Sequence, residues 1–521
     1  MLFTTLQFIG FLALCTVLYY TLPHRFQWLV LLFASIIFYM GIGRRRIIFI
    51  LASALTTYVA ANLIEKINAC EKERLLKGKD SLDKAEKNII KKGYRFKKRI
   101  VLIIFLAFNL GGLSFFKFYN FAQTSGSFLP KLNLIMPVGI SFYTLQIIGY
   151  VCDVYNKKVT AEKNLLKTVL FTTYFPQIIQ GPINRFGDLQ SQLTKSHIFD
   201  YDKFVLGLMR MLWGYFKKLV IADRFAVIVT TLFQNSANYA GFEIAIVIFF
   251  YTIQLYADFS GGIDIAMGAS ELFGIELPEN FKTPFFSKSI GEFWRRWHIT
   301  LGAYLRDYVF YPVTLSKPMA KLGKWLNKNC GKWFGRWIPA YISLFILWFC
   351  SGLWHGEGLQ FIAYGLYHGT LIMLGMTFEP IFKKAFSALK VDPQSKTWQL
   401  FQVARTFSLV CIGELIFRSS SVSQAVLMMK SMFSCWNPWV LFNGFVFTLG
   451  IDRPDFYVGL IAIGILFFVS LSSRKQSMRH WVKNQELPIR WAICIGGIMA
   501  IVIFGAYGPG YDPAPFIYFQ F

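Results

Sequence analysis

The sequence predicts an all-α protein that crosses a membrane many times. Apolar residues make up 55% of the chain and aromatic residues 18%, whereas charged residues make up only 16%. Soluble domains carry about 25% charged residues. Mean hydropathy is +0.45, and apolar stretches close to the roughly 20 residues that a spanning helix needs recur along the chain.

About eleven spanning helices are expected from these stretches, together with re-entrant and interfacial helices. Several stretches are short or broken by Gly and Pro, and residues 174–182 predict a bent, re-entrant element. Irregular backbone inside a bilayer has to be covered by protein or water. The apolar stretches are 2–22, 47–64, 101–121, 132–151, 204–220, 242–256, 338–354, 359–378, 400–417, 440–449, 456–471 and 491–507.

The charge distribution is typical of membrane topology. Net charge is +26, but the basic residues concentrate in the segments between apolar stretches, which favours the positive-inside pattern over nucleic-acid binding. Segment 65–99 has thirteen Lys or Arg against six acidic residues and is predicted to be a cytoplasmic loop. If three helices precede this loop, the N-terminus is extracytoplasmic. This assignment places the basic run 44–46 on the outer side, against the positive-inside pattern. We expect one integral membrane domain over 1–521.

A second basic segment, 317–336, contains no acidic residue. Its basic and apolar side chains separate on a helical wheel, which predicts a helix lying on an anionic membrane face. A solvated loop is the alternative. The lysines are Lys321, Lys324, Lys328 and Lys332, and the opposing residues are Leu322, Leu326 and Trp333.

Two histidines are the strongest candidates for chemistry. His355 ends the apolar run 338–356, and an ionisable group at such depth is a functional candidate by default. His298 lies in 293–312, where arginines mix with aromatic residues. A neutral imidazole, with a pKa of about 6.5, can take a proton from a hydroxyl at physiological pH. The pair predicts acyl transfer inside a bilayer, and a satisfied core histidine is the alternative for His355.

No metal site or cysteine nucleophile is expected. The eight cysteines are scattered and show no paired short spacing, and cysteine in apolar surroundings behaves as a small hydrophobe. No phosphate-binding loop, nucleophile elbow or zinc-protease motif is present in the sequence.

Asp258 and Asp264 flank a glycine pair. Six residues apart, they would lie about 240° apart on a regular helix and form no obvious acid–base pair. The glycines predict a break in the helix, with Asp258 capping a half-helix or orienting a group in a cavity. Gln180 is assigned to the bent element at 174–182. His368 is expected to support the site through packing and hydrogen bonding between helices.

An ordered set of short motifs extends over most of the chain. Each is weak alone, but in this order they resemble the membrane-bound O-acyltransferase superfamily and, within it, the branch of the alginate O-acetyltransferase membrane subunit. The motifs are PVGISFY at 137–143, YVCDVY at 150–155, FP at 175–176, QGPI at 180–183, YADFSG at 256–261 with Asp264, FWRRWHIT at 293–300, LRDY at 305–308, GLWHG at 352–356, GLYHG at 365–369, FR at 417–418 and FIYFQF at 516–521.

This resemblance implies a helical fold around a central tunnel, with His355 as the catalytic histidine and His298 in the upstream partner position. His355 would act as the general base, and His298 would either hydrogen-bond that base or polarise a thioester carbonyl. Trp354 and Trp297 would line the tunnel beside them. Three arginines would bind the phosphates of a carrier or anchor the chain at the interface: Arg295, Arg296 and Arg306.

The expected reaction is transfer of an acyl group, most simply acetyl, from a cytoplasmic thioester such as acetyl-CoA to an extracytoplasmic polysaccharide. The resemblance also implies a partner, an extracytoplasmic acetyltransferase of the serine-esterase type. The aromatic terminus, 511–521, is predicted to help form the outer acyl route. The alternatives are D-alanyl transfer to teichoic acid, a transporter without acyltransferase chemistry, and a purely structural subunit.

Overall fold

The computed structural model describes residues 2–78, 80, 82–124, 136–390, 392–507 and 516–517. Within these ranges the chain is helical, and strand-type pairing is limited to an isolated bridge between Phe281 and Trp297. The predicted all-α class is therefore confirmed. The first part of the predicted stretch 132–151 and most of 511–521 lie outside the described residues.

The α-helices in chain order are α1 Leu6–Thr21, α2 Gln27–Gly43, α3 Ile47–Lys77, α4 Lys84–Thr124, α5 Ile140–Tyr155, α6 Leu165–Thr173, α7 Phe175–Ile178, α8 Phe186–Thr194, α9 Tyr201–Tyr215, α10 Asp223–Gln234, α11 Phe242–Glu271, α12 Ile290–Arg296, α13 Ile299–Leu305, α14 Tyr311–Thr314, α15 Lys317–Asn329, α16 Lys332–His355, α17 Leu359–Ala388, α18 Lys396–Arg418, α19 Val422–Ser434, α20 Arg453–Ser472, α21 Met478–Lys483 and α22 Leu487–Phe504. A π-helical segment, Phe216–Ala222, joins α9 to α10.

The chain is a multi-pass membrane protein. Over the described ranges, eight helical stretches are long and apolar enough to cross a bilayer, so the expected number of eleven is not confirmed. Stretch 440–449 does not form a spanning helix: it holds two 3₁₀ segments, Pro438–Leu441 and Phe445–Leu449. Gly444 and Gly450 have left-handed backbone and flank the second segment on either side, which keeps it from continuing as an α-helix.

The contacts divide the chain into two compact units. The first consists of Met1–Leu208 and Ala266–Pro278. In it the predicted bent element is a single buried turn, α7, and the backbone N–H of Phe175 donates to Ser35 Oγ at 3.1 Å. The side-chain amide of Gln177 donates to Gln146 at 3.0 Å, so polar side chains supply part of the hydrogen bonding in this irregular stretch.

Segment 65–99, which was predicted to be a cytoplasmic loop, is largely helical. The apolar helices α3 and α4 continue into it and leave only a short connection between them. Lys, Arg and Glu are good helix formers, so the charged residues extend the two helices. Glu71 on α3 pairs with Lys98 on α4 at 3.1 Å, which ties these extensions together.

The second unit consists of Met209–Ile265 and Glu279–Phe521. The predicted break at the glycine pair of α11 does not occur, because α11 runs continuously from Phe242 to Glu271. A Cβ at Gly261 would lie 2.9 Å from the carbonyl oxygen of Gly214. The glycines therefore permit close packing of α9 against α11 and do not interrupt the helix.

The basic segment 317–336 forms an amphipathic helix over its first part only. α15 begins after the Ser316 cap and ends at Asn329, and Gly331, with φ of 101°, separates it from α16. Lys332 and Trp333 thus belong to the next helix. Leu326 is buried, whereas the lysines of α15 are exposed, as the helical wheel predicted.

Close packing of α16 against α17 positions the end of α16. A Cβ on Gly352 would lie 2.6 Å from the Phe361 carbonyl oxygen, and one on Gly365 would lie 2.4 Å from that of Trp348. Small residues at such crossings let helix backbones touch in a membrane. His355, the last residue of α16, is held against α17 for this reason.

Candidate active site

His355 is enclosed by aromatic rings. It is 2% exposed, and its imidazole centroid lies 5.0 Å from Trp354, 5.3 Å from Phe417 and 5.8 Å from Tyr364. The contacts with Phe417 and Tyr364 are nearly perpendicular, the edge-to-face arrangement that aromatic rings favour. Rings from α16, α17 and α18 therefore fix the imidazole in a water-poor environment.

His298 occupies the turn between α12 and α13, and its backbone is left-handed, with φ of 47° and ψ of 50°. Such a conformation is rare outside glycine and asparagine and marks a position worth functional attention. The side chain is 1% exposed. Burial lowers the pKa of His298 to about 3, so its imidazole is neutral at physiological pH.

Asn280 defines the tautomer of His298. The Asn280 carboxamide lies 3.3 Å from His298 Nδ1, through either its oxygen or its nitrogen. Asn280 Oδ1 already accepts from the Thr300 backbone N–H at 3.0 Å and from Thr300 Oγ1 at 2.9 Å. With both lone pairs of that oxygen used, the amide nitrogen donates to Nδ1, and the imidazole proton resides on Nε2.

The two predicted histidines share one neighbour, Trp354. Its ring lies 5.6 Å from His298 and 5.0 Å from His355. The structure thus brings His298, which is far from Trp354 in the sequence, into contact with the same ring as His355. Trp297 packs 5.0 Å from Phe281 and 5.4 Å from Phe293, and Phe259 joins this cluster to His298 at 4.8 Å.

His368 and Glu414 both contact Tyr364, one of the rings around His355. His368 is fully buried, and its ring lies 4.8 Å from Tyr364. Neither nitrogen of His368 has a hydrogen-bond partner in the described part of the chain, so His368 packs as predicted without the predicted interhelical hydrogen bond. Glu414 on α18 accepts a hydrogen bond from the Tyr364 hydroxyl at 3.2 Å.

Asp258 is an ion-pair partner and not a helix cap. It is 2% exposed and accepts from Lys218 Nζ at 2.7 Å, while Asp223 pairs with the same lysine at 2.8 Å. Gln180 lies in the first unit, after α7, and is fully buried. Its side-chain amide has no hydrogen-bond partner among the residues that the structure describes.

A cavity of about 1170 Å³ lies in the second unit and is rich in basic side chains. Arg296 lines it, whereas Arg295 and Arg306 are exposed and outside its lining. Arg306 pairs with Asp307 at 3.0 Å. The charged residues lining the cavity are Arg210, Lys217, Lys282, Arg296, Arg474, Arg479, Asp264 and Glu279.

Sequence reasoning missed several of these residues. Glu414 is a lone acidic residue inside apolar stretch 400–417, and Lys217 and Lys218 lie inside stretch 204–220. Each is an ionisable group in an apolar window, the signal that singled out His355. Asn280 carried no such signal, because its importance depends on a contact with a residue eighteen positions away.

Comparison with known proteins defines the class. Residues 161–421 match the membrane-bound O-acyltransferase family, and the chain belongs to this family. It is 35% identical over 341 residues to a probable alginate O-acetylase of Pseudomonas syringae pv. tomato, covering 63% of this chain and 59% of the relative.

Two further relatives differ in what they acylate. A peptidoglycan O-acetyltransferase of Helicobacter pylori is 29% identical over 366 residues, 64% of this chain and 65% of the relative. A teichoic acid D-alanyltransferase of Bacillus subtilis is 31% identical over 296 residues, 55% of this chain and 70% of the relative. The match spans about three fifths of the length of the Pseudomonas syringae and Pseudomonas aeruginosa alginate relatives, 59% and 61%.

Proposed function

We propose that this protein is a membrane O-acyltransferase that moves an acetyl group from a cytoplasmic thioester toward an extracytoplasmic polysaccharide. The observation that carries the proposal is the pair of buried histidines that both contact the ring of Trp354 in a chain of the O-acyltransferase family. The similarity to probable alginate O-acetylases supports acetyl as the acyl group and a polysaccharide as the final acceptor.

His355 is the general base of the proposed reaction. Its imidazole takes the proton of the acceptor hydroxyl, and the hydroxyl oxygen forms a bond to the thioester carbonyl carbon. The carbon–sulfur bond then breaks, and the leaving thiolate takes the proton from the imidazolium. A thioester and an alcohol thus become an ester and a thiol without any other reactant.

His298 stabilises the carbonyl oxygen in this proposal. Its neutral ring carries a proton on Nε2, as the Asn280 contact indicates, and a fixed N–H aimed at a developing oxyanion is an effective form of catalysis. This choice favours the second of the two roles that the sequence left open for His298. The aromatic surroundings strengthen such a hydrogen bond by excluding water.

The basic cavity is the proposed donor entrance. Arg296, Lys282 and Arg474 line it, and clustered positive charge raises the local concentration of an anionic carrier such as acetyl-CoA. An extracytoplasmic acetyltransferase of the serine-esterase type would complete delivery to the polymer, with the N-terminus of this chain on the same outer side.

D-alanyl transfer to teichoic acid is the second candidate. It is favoured by the Bacillus subtilis relative, of which the match covers 70%. The proposed proton transfer through His355 is the same for both acyl groups, because both donors are thioesters. Acyl identity therefore has to be measured on the product.

Mass analysis of surface polymers tests both candidates. Cells lacking the native gene would carry the wild-type protein, His355→Ala or the control His480→Ala, whose histidine is exposed on α21. Wild type and the control should restore O-acetyl groups, and His355→Ala should not despite normal membrane levels. Restoration of D-alanine instead supports the second candidate, and no difference between the three proteins contradicts both.

A further inference from the structure

We propose that Glu414 is a positioning residue, which acts through Tyr364 to hold the imidazole of His355 in its reactive orientation. This inference rests on the proposed function, because it concerns the rate of the reaction assigned to His355. It assigns a role to a buried carboxyl group that the proton transfer itself does not use.

The burial of Glu414 calls for an explanation. The residue is 1% exposed on α18, inside a membrane-spanning helix. Its Oε1 accepts the Tyr364 hydroxyl at 3.2 Å, and its Oε2 has no hydrogen-bond partner in the described ranges. An isolated carboxylate in such surroundings is far less stable than the neutral acid. A leucine would pack there at lower cost, so the polar group points to a function.

Two successive contacts link Glu414 on α18 to the proposed base, His355. The carboxyl group fixes the hydroxyl of Tyr364, and the ring of Tyr364 stands at 86° to the imidazole of His355. Phe417, on the same helix as Glu414, contacts both rings, at 5.0 Å from Tyr364 and 5.3 Å from His355. One helix therefore sets two of the rings around the base.

Removal of the carboxyl group would leave the Tyr364 hydroxyl buried without this acceptor. Loss of a buried hydrogen bond costs free energy, so the ring would shift from its present position and release the imidazole. Small displacements of a catalytic group lower the rate of reaction more than they lower binding. The expected loss is therefore in kcat, with little change in KM.

The test compares four variants of the full chain in inverted membrane vesicles: Glu414→Gln, Glu414→Leu, Tyr364→Phe and the double variant Tyr364→Phe with Glu414→Leu. Transfer of label from acetyl-CoA or from a D-alanyl thioester into polymer gives kcat and KM per unit of inserted protein. The matched control is Tyr367→Phe, which removes another hydroxyl that joins α17 to α18, through Leu409 O at 2.9 Å.

Glu414→Gln should retain activity within about twofold, because the amide oxygen still accepts the tyrosine hydroxyl. Glu414→Leu and Tyr364→Phe should each lower kcat by about tenfold with KM within about twofold, and the double variant should be no worse than either, since both remove one interaction. Tyr367→Phe should match wild type.

Three results would overturn the inference. The first is a wild-type kcat in Glu414→Leu, and the second is additive losses of kcat in the double variant. The third is a kcat of Glu414→Gln as low as that of Glu414→Leu, because this result would assign the carboxyl group a role in proton transfer. The proposed function would instead be refuted if the wild-type protein and His355→Ala transferred label equally, with acetyl-CoA and with the D-alanyl thioester. This inference would then fail with it.

Discussion

His298 Nδ1 lies 3.3 Å from the carboxamide of Asn280, and this contact decides which nitrogen of the imidazole carries the proton. The carboxamide is held in turn by Thr300, at the left-handed turn that begins α13. The two hydrogen bonds from Thr300 therefore prevent rotation of the Asn280 carboxamide, and the fixed carboxamide orients the imidazole of His298.

Asn280→Asp should reverse the tautomer of His298. Aspartate keeps an oxygen for Thr300 but presents an acceptor where the amide nitrogen donated, so Nδ1 has to carry a proton and Nε2 loses its own. We expect a rate at least about tenfold lower and a lower melting temperature, because Asn280 is fully buried and a buried carboxyl group costs free energy. Asn280→Ala should also destabilise the fold, by about 1–3 kcal/mol. Wild-type activity in Asn280→Asp would contradict the assigned tautomer.

Acid should destabilise the protein partly through His298. Its folded pKa is lowered to about 3, whereas an unfolded histidine has a pKa of about 6.5. Below the unfolded pKa, the unfolded state binds a proton that the folded state does not, so stability falls as the pH drops from about 6.5 toward 3. By pH 5 the loss is about 2 kcal/mol.

The measurement is the melting temperature of purified protein between pH 7.5 and pH 5. His298→Asn should lose less stability over this range than wild type, because asparagine does not titrate. Equal acid sensitivity of the two proteins would show that His298 is not held neutral by burial.

The basic cavity should control donor affinity. Arg474→Gln and Lys282→Gln remove charges from its lining, so KM for acetyl-CoA should rise about threefold to tenfold while kcat stays near wild type, and the effect should shrink at high salt. The control is Lys383→Gln, an exposed lysine paired with Glu379 at 2.7 Å. An unchanged KM in both cavity variants would exclude this entrance.

The C-terminal segment should be needed for acyl export. Phe516 is 1% exposed, and its ring lies 4.6 Å from Lys218 Nζ. The backbone N–H of Ile517 donates to Asp258 at 2.9 Å. Deleting 516–521 removes both contacts, so surface acylation should fall while membrane insertion, measured by protein level, persists.

Phe516→Ala should show a weaker form of the same loss. Phe442→Ala is the control, since Phe442 is 90% exposed. Full surface acylation after the deletion would remove this segment from the acyl route.

The membrane class and the two candidate histidines could be predicted from the sequence alone. Hydropathy depends on local composition, and His355 stood out because an ionisable group is costly in an apolar run. The same logic would have found Glu414 and Lys218. It failed for α11, where the glycine pair predicted a break, because these glycines permit close packing against another helix: a Cβ on Gly261 would lie 2.9 Å from the Gly214 carbonyl oxygen.

The sequence by itself determined that this is a helical membrane protein with a buried imidazole at residue 355 and a second candidate at 298, since burial cost and residue chemistry are properties of local segments. Tertiary structure alone decided that Trp354 contacts both imidazoles, that Asn280 orients His298 and that Glu414 reaches Tyr364. Except for the contact between the neighbours Trp354 and His355, those relationships join residues that are well separated in the sequence, so their geometry depends on how the chain packs.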